Sequence, residues 1–155
     1  MGPGGGATPD DLKNARQLGN LIAANGWILL SGGRNEGVMD EVNKGAKEND
    51  GLTIGIMPTS ELDSISDAVD IPIITDMKSA RNTINVLSSD VIVACGIGAG
   101  TASEIALALK ANKDVILLNN DDESKAFFQK LGKDKIYIAE SPDSVIKKIK
   151  KLIGE

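Results

Sequence analysis

Two glycine-rich turns hold most of the residues in this chain that could do chemistry. The first spans residues 31–37 and the second residues 95–101, and each lies between an apolar run and an amphipathic run. Glycine lets backbone N–H groups approach a ligand closely, and the N-terminus of a following helix adds a partial positive charge of about half a unit. The pattern therefore predicts a site for an anionic, nucleotide-like ligand. The predicted ligand-binding residues are Gly32, Gly33, Arg34, Gly37, Gly96, Gly98, Gly100 and Thr101.

Four residues in or near these turns carry polar groups with more than one interpretation. Thr101 is the predicted N-cap of a helix, and Glu104 follows it at capping-box spacing, so Glu104 either accepts the Thr101 N–H or faces the ligand as a catalytic carboxylate. These two roles are compatible. Arg34 is either a bidentate partner for phosphate or an arginine at a loop tip. Arg81 is either a solvated helix arginine or a charge-stabilising group where strands end.

The composition excludes several other chemistries. The 155-residue chain has no histidine and one cysteine, Cys95, so histidine-based proton relays, zinc clusters and an internal disulfide are excluded. The net charge is -5, and the lysines gather near the C-terminus, which favours a solvated last helix over a nucleic-acid-binding face. There is no run of about 18 apolar residues and no leader-like segment. We expect a cytoplasmic protein with no metal, nucleic-acid or membrane partner.

Binding of NAD is a minor alternative for the second turn. Asp121 and Asp122 lie at about the 20-residue distance at which an acid contacts the ribose of a dinucleotide. The turn, however, is one residue short of Gly-x-Gly-x-x-Gly and belongs to a late strand–helix unit.

Apolar periodicity predicts short strands that alternate with helices. Thr8, Pro9 and early acids begin a helix over residues 9–25, and a second helix follows the first glycine turn. The other predicted helices lie near 79–88, 101–111, 123–131 and 142–153, and the strands at 27–30, 53–57, 71–74, 91–94, 115–118 and 136–138. This order predicts an α/β fold with a Rossmann-like, doubly wound parallel sheet in three layers, as one domain over residues 1–155. Residues 58–70 are an exposed connection or a mobile lid.

The beginning of the chain breaks this alternation. Residues 1–7 form a glycine turn that leads into a capped helix, but no strand precedes the turn. The segment is therefore either a loose tail or, as we favour, the end of a strand–helix turn whose strand is missing. The second interpretation predicts a gap or an open edge in the sheet.

Three motifs together connect the chain to a known family. They are Ser31-Gly32-Gly33 with Gly37-Val38-Met39, then Ala80-Arg81-Asn82, then Gly98-Ala99-Gly100-Thr101-Ala102-Ser103-Glu104. This combination resembles the Lonely Guy (LOG) or lysine decarboxylase-like superfamily, most closely its bacterial Rossmann-fold branch near the molybdenum cofactor carrier proteins. The resemblance covers nearly the whole chain, and it implies a strand ahead of the first helix and a homodimer or larger homo-oligomer.

The resemblance implies two different functions. Hydrolase members of the superfamily carry Pro-Gly-Gly-x-Gly-Thr-x-x-Glu and release the base from a nucleoside 5'-monophosphate, so Glu104 and Arg81 would be the catalytic residues here. In this chain Gly96 and Ile97 replace the Pro-Gly start, and Asn82 replaces a lysine. Carrier-like members bind the phosphate-bearing pterin of the molybdenum cofactor without turnover. We expect such a binding protein, with no required cofactor and with a nucleoside monophosphate or the molybdenum cofactor as ligand.

A phosphoribohydrolase, and a structural or regulatory protein with a vestigial site, remain the alternatives.

Overall fold

The structure, a computed structural model, describes residues 1–118 and 121–155 and contains the predicted alternation of strands and helices. In chain order the elements are α1 (Pro9–Ala24), β1 (Leu29–Ser31), α2 (Gly37–Lys47), β2 (Thr53–Met57), β3 (Ile71–Ile74), α3 (Asn82–Ser88), β4 (Ile92–Cys95), α4 (Ala99–Lys110), β5 (Val115–Leu118), α5 (Asp122–Gly132), β6 (Ile136–Ala139) and α6 (Pro142–Ile153). Short 3-10 turns occupy residues 62–64, 78–81 and 133–135. The predicted bounds differ from the observed ones by at most three residues.

The strands form two parallel sheets of three strands each, in the orders β1-β2-β3 and β4-β5-β6. Leu29 is paired with Thr53 in the first sheet, and Ile92 with Val115 in the second. Strands β1 and β4 line one groove between the sheets, so the strand order runs outward in opposite directions from that groove. This is the switch point of a doubly wound α/β fold, where ligands bind beyond the carboxyl ends of the strands.

Helices cover both faces of the second sheet, which confirms the α/β prediction. Alternate strand residues point to opposite faces. Cys95, Ile116 and Leu118 pack with apolar residues of α1 and α6, whereas Ala94, Val115 and Leu117 pack with residues of α3, α4 and α5. Within the described ranges, no helix is long and apolar enough to cross a membrane.

Helix α1 begins as its sequence predicts, and its first turn also supports the second glycine turn. The Thr8 hydroxyl accepts the N–H of Asp11 at 3.1 Å, and the Asp11 carboxylate accepts the N–H of Thr8 at 3.0 Å. Asp11 is only 4% exposed, and a Cβ atom at Gly96 would lie 2.7 Å from its carboxylate. The capping carboxylate therefore packs directly against Gly96, at the point where β4 ends.

Residues 1–7 form no strand, but they are not a loose tail. The Met1 ammonium donates to the Val93 carbonyl at 2.7 Å, and the Cys95 N–H donates to the Met1 carbonyl at 2.9 Å. The Val38 N–H donates to the Pro3 carbonyl at 3.0 Å. The segment thus connects β4 to the start of α2 at one end of the groove, and the sheet has the predicted gap.

Candidate functional site

A cavity of about 360 Å³ lies beyond the carboxyl ends of β1 and β4. Three glycine turns line it: residues 2–5, the turn after β1 and the turn after β4. The start of α3 completes the wall. Of the predicted site residues, the cavity is lined by Gly32, Arg34, Arg81, Gly98, Gly100, Thr101 and Glu104.

Three predicted ligand-binding glycines lie outside this lining and shape the turns instead. Gly33, Gly37 and Gly96 have φ angles of 71°, 57° and 75°, which side chains rarely adopt. A Cβ atom would meet the Met57 sulfur at Gly33, the backbone of the N-terminal glycine turn at Gly37 and the Asp11 carboxylate at Gly96. These glycines allow the tight backbone path that brings their neighbours to the cavity.

Helix α4 begins two residues earlier than its sequence suggests, which makes the predicted cap wrong. Gly98 is the N-cap, with an extended φ of -163° and no side-chain capping hydrogen bond. Thr101 therefore lies inside the first turn, and Glu104 is not its capping-box partner. Glycine is an acceptable N-cap, so the helix begins at Ala99 and not after the threonine.

The N-terminus of α4 is open toward the cavity. The first N–H groups of a helix have no intrahelical acceptors, and the helix dipole attracts an anion there. A Cβ atom at Gly100 would meet nothing within 4 Å, so a ligand has room beside this backbone. Thr101 is 2% exposed, and its hydroxyl has no hydrogen-bond partner among the described residues. The geometry suits a phosphate group.

Arg81 is a buried cation for which the described residues provide no ion pair within 4 Å, although the Glu104 carboxylate lies in the same cavity wall. The residue is 8% exposed, and its Nε has no hydrogen-bond partner in the part of the chain that the structure describes. A Cβ atom at Gly32 would lie 2.7 Å from Nη1 of Arg81, so the glycine makes room for the guanidinium. Burial lowers the pKa of Arg81, the Glu104 charge opposes this shift, and the Arg34 charge adds to it. Arg34 itself is paired with Glu36 at 2.7 Å.

Glu104 is held by helix α3. It is 7% exposed, and the Asn85 side-chain amide donates to its Oε1 at 2.9 Å. The side-chain oxygen of Asn85, Oδ1, has no partner among residues 1–118 and 121–155. Asn82 donates to the Ser103 hydroxyl at 3.2 Å and so also joins α3 to α4. The carboxylate is thereby fixed in the cavity wall close enough to influence the Arg81 pKa.

The sequence contained signals for two site components that we did not assign. The glycine run at residues 2–5 was interpreted only as a break in the strand–helix order, yet it forms one cavity wall. Asn85 lies four residues after Arg81, which is the spacing of neighbours on one helix face. Both residues line the cavity.

The loop at residues 58–70 is attached to the first glycine turn. The Asn35 N–H donates to the Ser64 carbonyl at 2.9 Å, and the Ser66 N–H donates to the Gly33 carbonyl at 2.8 Å. Pro58 is the loop residue that lines the cavity. The loop thus braces the first turn, while its predicted role as a lid stays a prediction.

The cavity, its glycine turns and the Rossmann-like sheet agree with a match to a family model. The model of the SLOG cluster4 family covers residues 1–146. This chain belongs to the SLOG cluster4 family. The predicted membership in the LOG-like superfamily is therefore confirmed.

Solved relatives extend this result. The molybdenum cofactor binding protein of the phototrophic bacterium Rippkaea orientalis is 59% identical, with a TM-score of 0.96 over 99% of this chain and 94% of that chain. The molybdenum cofactor carrier protein of Chlamydomonas reinhardtii is 50% identical, with a TM-score of 0.92 over 100% and 96% of the two chains. An uncharacterized protein of Archaeoglobus fulgidus is 48% identical over 104 residues, which are 67% of this chain and 68% of that protein.

Proposed function

We propose that this SLOG cluster4 protein binds the molybdenum cofactor, or a similar phosphorylated pterin, and carries it without turnover. The observation that carries the proposal is the buried Arg81 guanidinium, which lines the cavity and whose Nε lacks a partner among the described residues. A buried charge is costly unless it is paired. An anionic ligand would supply the pair, and two structural neighbours are proteins named for molybdenum cofactor binding or carriage.

The donors around the cavity fit two parts of such a ligand. The N-terminus of α4 and the Thr101 hydroxyl are suited to the terminal phosphate, because both offer hydrogen-bond donors in a positive potential. Gly32 and Arg81 belong to the other side of the cavity, where acceptor groups of the pterin or its metal-binding end would find the guanidinium. The protein then needs no cofactor of its own, since the molybdenum cofactor is its cargo.

The test is retention of the cofactor by the full chain. Molybdenum cofactor released from a molybdoenzyme is mixed with the protein and passed through a desalting column, and bound molybdenum and pterin are measured by mass spectrometry and by fluorescence after oxidation. We expect Arg81→Met to retain at least about tenfold less, because a hydrogen bond to a charged group contributes about 1.5–3 kcal/mol. Arg16→Met is the matched control, since Arg16 is exposed on α1 and paired with Glu41 and Glu48.

Equal retention by Arg81→Met and the unsubstituted protein would overturn the assigned site. A lack of retention by the unsubstituted protein would overturn the proposed function.

A phosphoribohydrolase is the second candidate, because Glu104 is a buried carboxylate in the same cavity as Arg81. Incubation with adenosine monophosphate tests it by release of adenine. If Glu104 is the acid–base group, Glu104→Gln lowers the rate by about 10²- to 10⁴-fold. Release with that dependence would replace the carrier proposal. If no phosphorylated ligand binds or reacts, the vestigial-site alternative takes its place.

We further propose that β3 lies in an interface between two copies of this chain. All four of its residues, Ile71–Ile74, are exposed, and the three isoleucines are 43–45% exposed. A parallel strand that is apolar on both faces normally lies under cover. Native mass spectrometry should show a dimer, and Ile73→Lys should shift it to monomer. A monomeric unsubstituted protein would contradict this interface.

A cytoplasmic location and a one-domain organisation complete the proposal. Cys95, the one cysteine of the sequence, is buried as a free thiol, which suits a reducing compartment. Limited proteolysis should leave one resistant core that spans both sheets.

A further inference from the structure

One wall of the ligand cavity, built from α3 and α4, carries three buried polar side chains. Arg81 lies directly before α3 and Asn85 lies inside it, four residues further on. Glu104 lies opposite them on α4, where it accepts a hydrogen bond from Asn85. All three residues line the cavity, and only 7% or 8% of the surface of each is exposed. Their unpaired atoms are therefore available to a bound ligand rather than to bulk solvent.

The orientation of the Asn85 amide is fixed by its neighbour. Its NH₂ group donates to Oε1 of Glu104 at 2.9 Å. A carboxylate accepts hydrogen bonds and cannot donate them, so the reverse orientation of the amide would place two acceptors against each other. The Asn85 oxygen, Oδ1, is thus the atom left over, and no described residue donates to it. It is a buried acceptor that only a ligand can pair.

Glu104 supplies a second acceptor, and Arg81 supplies a donor. Of the two carboxylate oxygens, Oε1 accepts from Asn85, and no residue within the described ranges donates to Oε2. The Nε of Arg81 lacks a partner among the same residues. A guanidinium can only donate. The wall therefore offers a ligand one donor and two acceptors.

This set of groups complements the edge of one class of ring. A 2-amino-4-oxo-pyrimidine ring presents an oxo group that accepts, followed by a ring N–H and an amino group that donate. Pterins and guanine both contain this ring. Hypoxanthine has the oxo group and the ring N–H but not the amino group, and adenine has an acceptor where guanine has the ring N–H. Only the pterin and guanine edges match the wall at all three positions.

We propose that Arg81, Asn85 and Glu104 bind the 2-amino-4-oxo edge of the ligand's ring, so that the cavity selects pterins and guanine nucleotides over adenine nucleotides. The Arg81 guanidinium donates to the oxo group. Oδ1 of Asn85 and Oε2 of Glu104 accept from the ring N–H and the amino group. The two acceptors determine specificity, because a ring without those donors leaves them buried and unpaired. The proposal rests on the proposed function, since it places the ring in the same cavity.

The position of this wall is compatible with the phosphate site at the start of α4. Thr101 and Glu104 are three residues apart on α4, so they lie on the same face of the helix. A phosphate near Thr101 therefore leaves the ring one turn further along, beside Glu104. The cavity volume of about 360 Å³ is within the range of about 300–1,000 Å³ that is common for small-molecule sites. One phosphorylated ligand of this class fits the space.

The test measures the affinity of the full chain, without cofactor, for three nucleotides by isothermal titration calorimetry. Guanosine, inosine and adenosine 5'-monophosphate share the ribose phosphate and differ in the edge of the ring. We expect the guanosine nucleotide to bind at least about tenfold more tightly than the inosine nucleotide, which leaves one buried acceptor unpaired. The adenosine nucleotide should bind more weakly still. Equal affinities, a preference for adenosine, or no binding of the guanosine nucleotide would overturn the proposal.

A substitution in the wall separates specificity from folding. Glu104→Gln keeps an oxygen for the Asn85 bond but places an NH₂ group where Oε2 was. We expect it to lose at least about tenfold in affinity for the guanosine nucleotide, with a smaller ratio of guanosine to adenosine affinity. An unchanged ratio would contradict the assigned role. If this variant does not fold, the three nucleotides on the unsubstituted protein still decide.

Ser103→Ala is the matched control. Ser103 is the residue before Glu104, and it accepts from Asn82 at 3.2 Å, so it also joins α4 to α3. It is exposed and lies outside the cavity lining. This variant should keep both the affinity for the guanosine nucleotide and the ratio. A loss of the ratio in Ser103→Ala would show that the contact between the helices, and not the acceptor pair, sets the preference.

These outcomes are distinguishable from a failure of the carrier function. Preference for the guanosine nucleotide without retention of the molybdenum cofactor supports the assigned edge and refutes the proposed cargo. Cofactor retention without that preference refutes the assigned edge alone.

Discussion

The substitution Thr101→Val should move stability and ligand affinity in opposite directions. Thr101 is 2% exposed, and its hydroxyl has no partner in the described part of the chain. Valine has nearly the same shape but no hydroxyl. An unpaired buried polar group costs about 1–3 kcal/mol, so its removal should leave the free energy of unfolding unchanged or raise it by up to about 2 kcal/mol. The unpaired hydroxyl thus lowers the free energy of unfolding of the free protein.

The same hydroxyl should favour the bound state. A hydrogen bond to a charged group contributes about 1.5–3 kcal/mol, which corresponds to about a 10- to 150-fold loss of affinity on substitution. Urea denaturation of the free protein gives the stability, and retention of the molybdenum cofactor gives the affinity. The two measurements are made on the same preparation.

Thr53→Val is the matched control. Thr53 is also fully buried, but its hydroxyl donates to the Ala68 carbonyl at 2.7 Å and accepts the Asp70 N–H at 2.9 Å. This variant should lose about 1–3 kcal/mol of stability and keep its affinity, since Thr53 lies away from the cavity lining. A Thr101→Val protein that is destabilised like Thr53→Val, with unchanged affinity, would refute the assignment of Thr101 to a ligand.

Three further predictions concern one residue each. Gly100→Ala should raise the free energy of unfolding by about 0.5–1 kcal/mol, because alanine favours a helix interior and its Cβ meets no atom within 4 Å. The same substitution should weaken cofactor retention, and unchanged retention would show that no ligand approaches this backbone. The pKa of Asp70 is lowered by the hydrogen bond from Lys47 and then by that from the Thr53 N–H, so Asp70→Asn should be less stable at neutral pH by about 1 kcal/mol or less. In urea titrations this difference should be fully present above about pH 3.9, the ordinary pKa of aspartate, and should shrink as the pH falls from there through the lowered pKa of the folded protein. Burial raises the pKa of the Cys95 thiol to about 12, so the folded protein should resist iodoacetamide at pH 8. Its free energy of unfolding should fall as the pH rises above about 8.5, because the thiol of the unfolded chain ionises first. Cys95→Ala should not show this loss.

The sequence was sufficient for the elements whose signals are local. Thr8 and Pro9 gave the start of α1, and continuous Val, Ile and Leu runs gave β4 and β5. The predicted start of α4 was wrong because glycine and threonine, here Gly98 and Thr101, can both occupy an N-cap position. The choice between them depends on what the hydroxyl meets after folding, and nothing local decides that.

The glycine turns of the candidate site could be predicted from the sequence, but the burial and hydrogen bonds of its charged side chains could not. Glycine spacing placed Gly98 and Gly100 at a helix N-terminus, and the structure agrees. The burial of Arg81 depends on the approach of Gly32, which lies in a turn far away in the sequence. The bond from Asn85 to Glu104 depends on the packing of α3 against α4. Contacts of this kind join segments that are distant in the sequence, so residue spacing cannot reveal them.

The unpaired polar atoms themselves argue for a ligand. More than about 90% of buried polar groups in native proteins are paired, and the described residues leave four buried side-chain atoms without a partner. Three of them belong to Arg81, Asn85 and Thr101, which all line one cavity. The fourth is the side-chain nitrogen of Asn43, whose side-chain oxygen accepts from the Ser31 hydroxyl at 3.1 Å, and that hydroxyl in turn accepts the Gly33 N–H.

These atoms converge on the walls and the support of one site. Among the three that line the cavity, Arg81 Nε and the Thr101 hydroxyl can donate to an anionic ligand, and the Asn85 side-chain oxygen can accept from an N–H or O–H group of the same ligand. The carrier proposal therefore predicts that loading stabilises the fold, and that the gain becomes smaller in Thr101→Val. Thermal unfolding of the loaded and free forms measures the gain in stability for the unsubstituted protein and for Thr101→Val. An equal gain in these two proteins would show that the Thr101 hydroxyl does not contact the ligand.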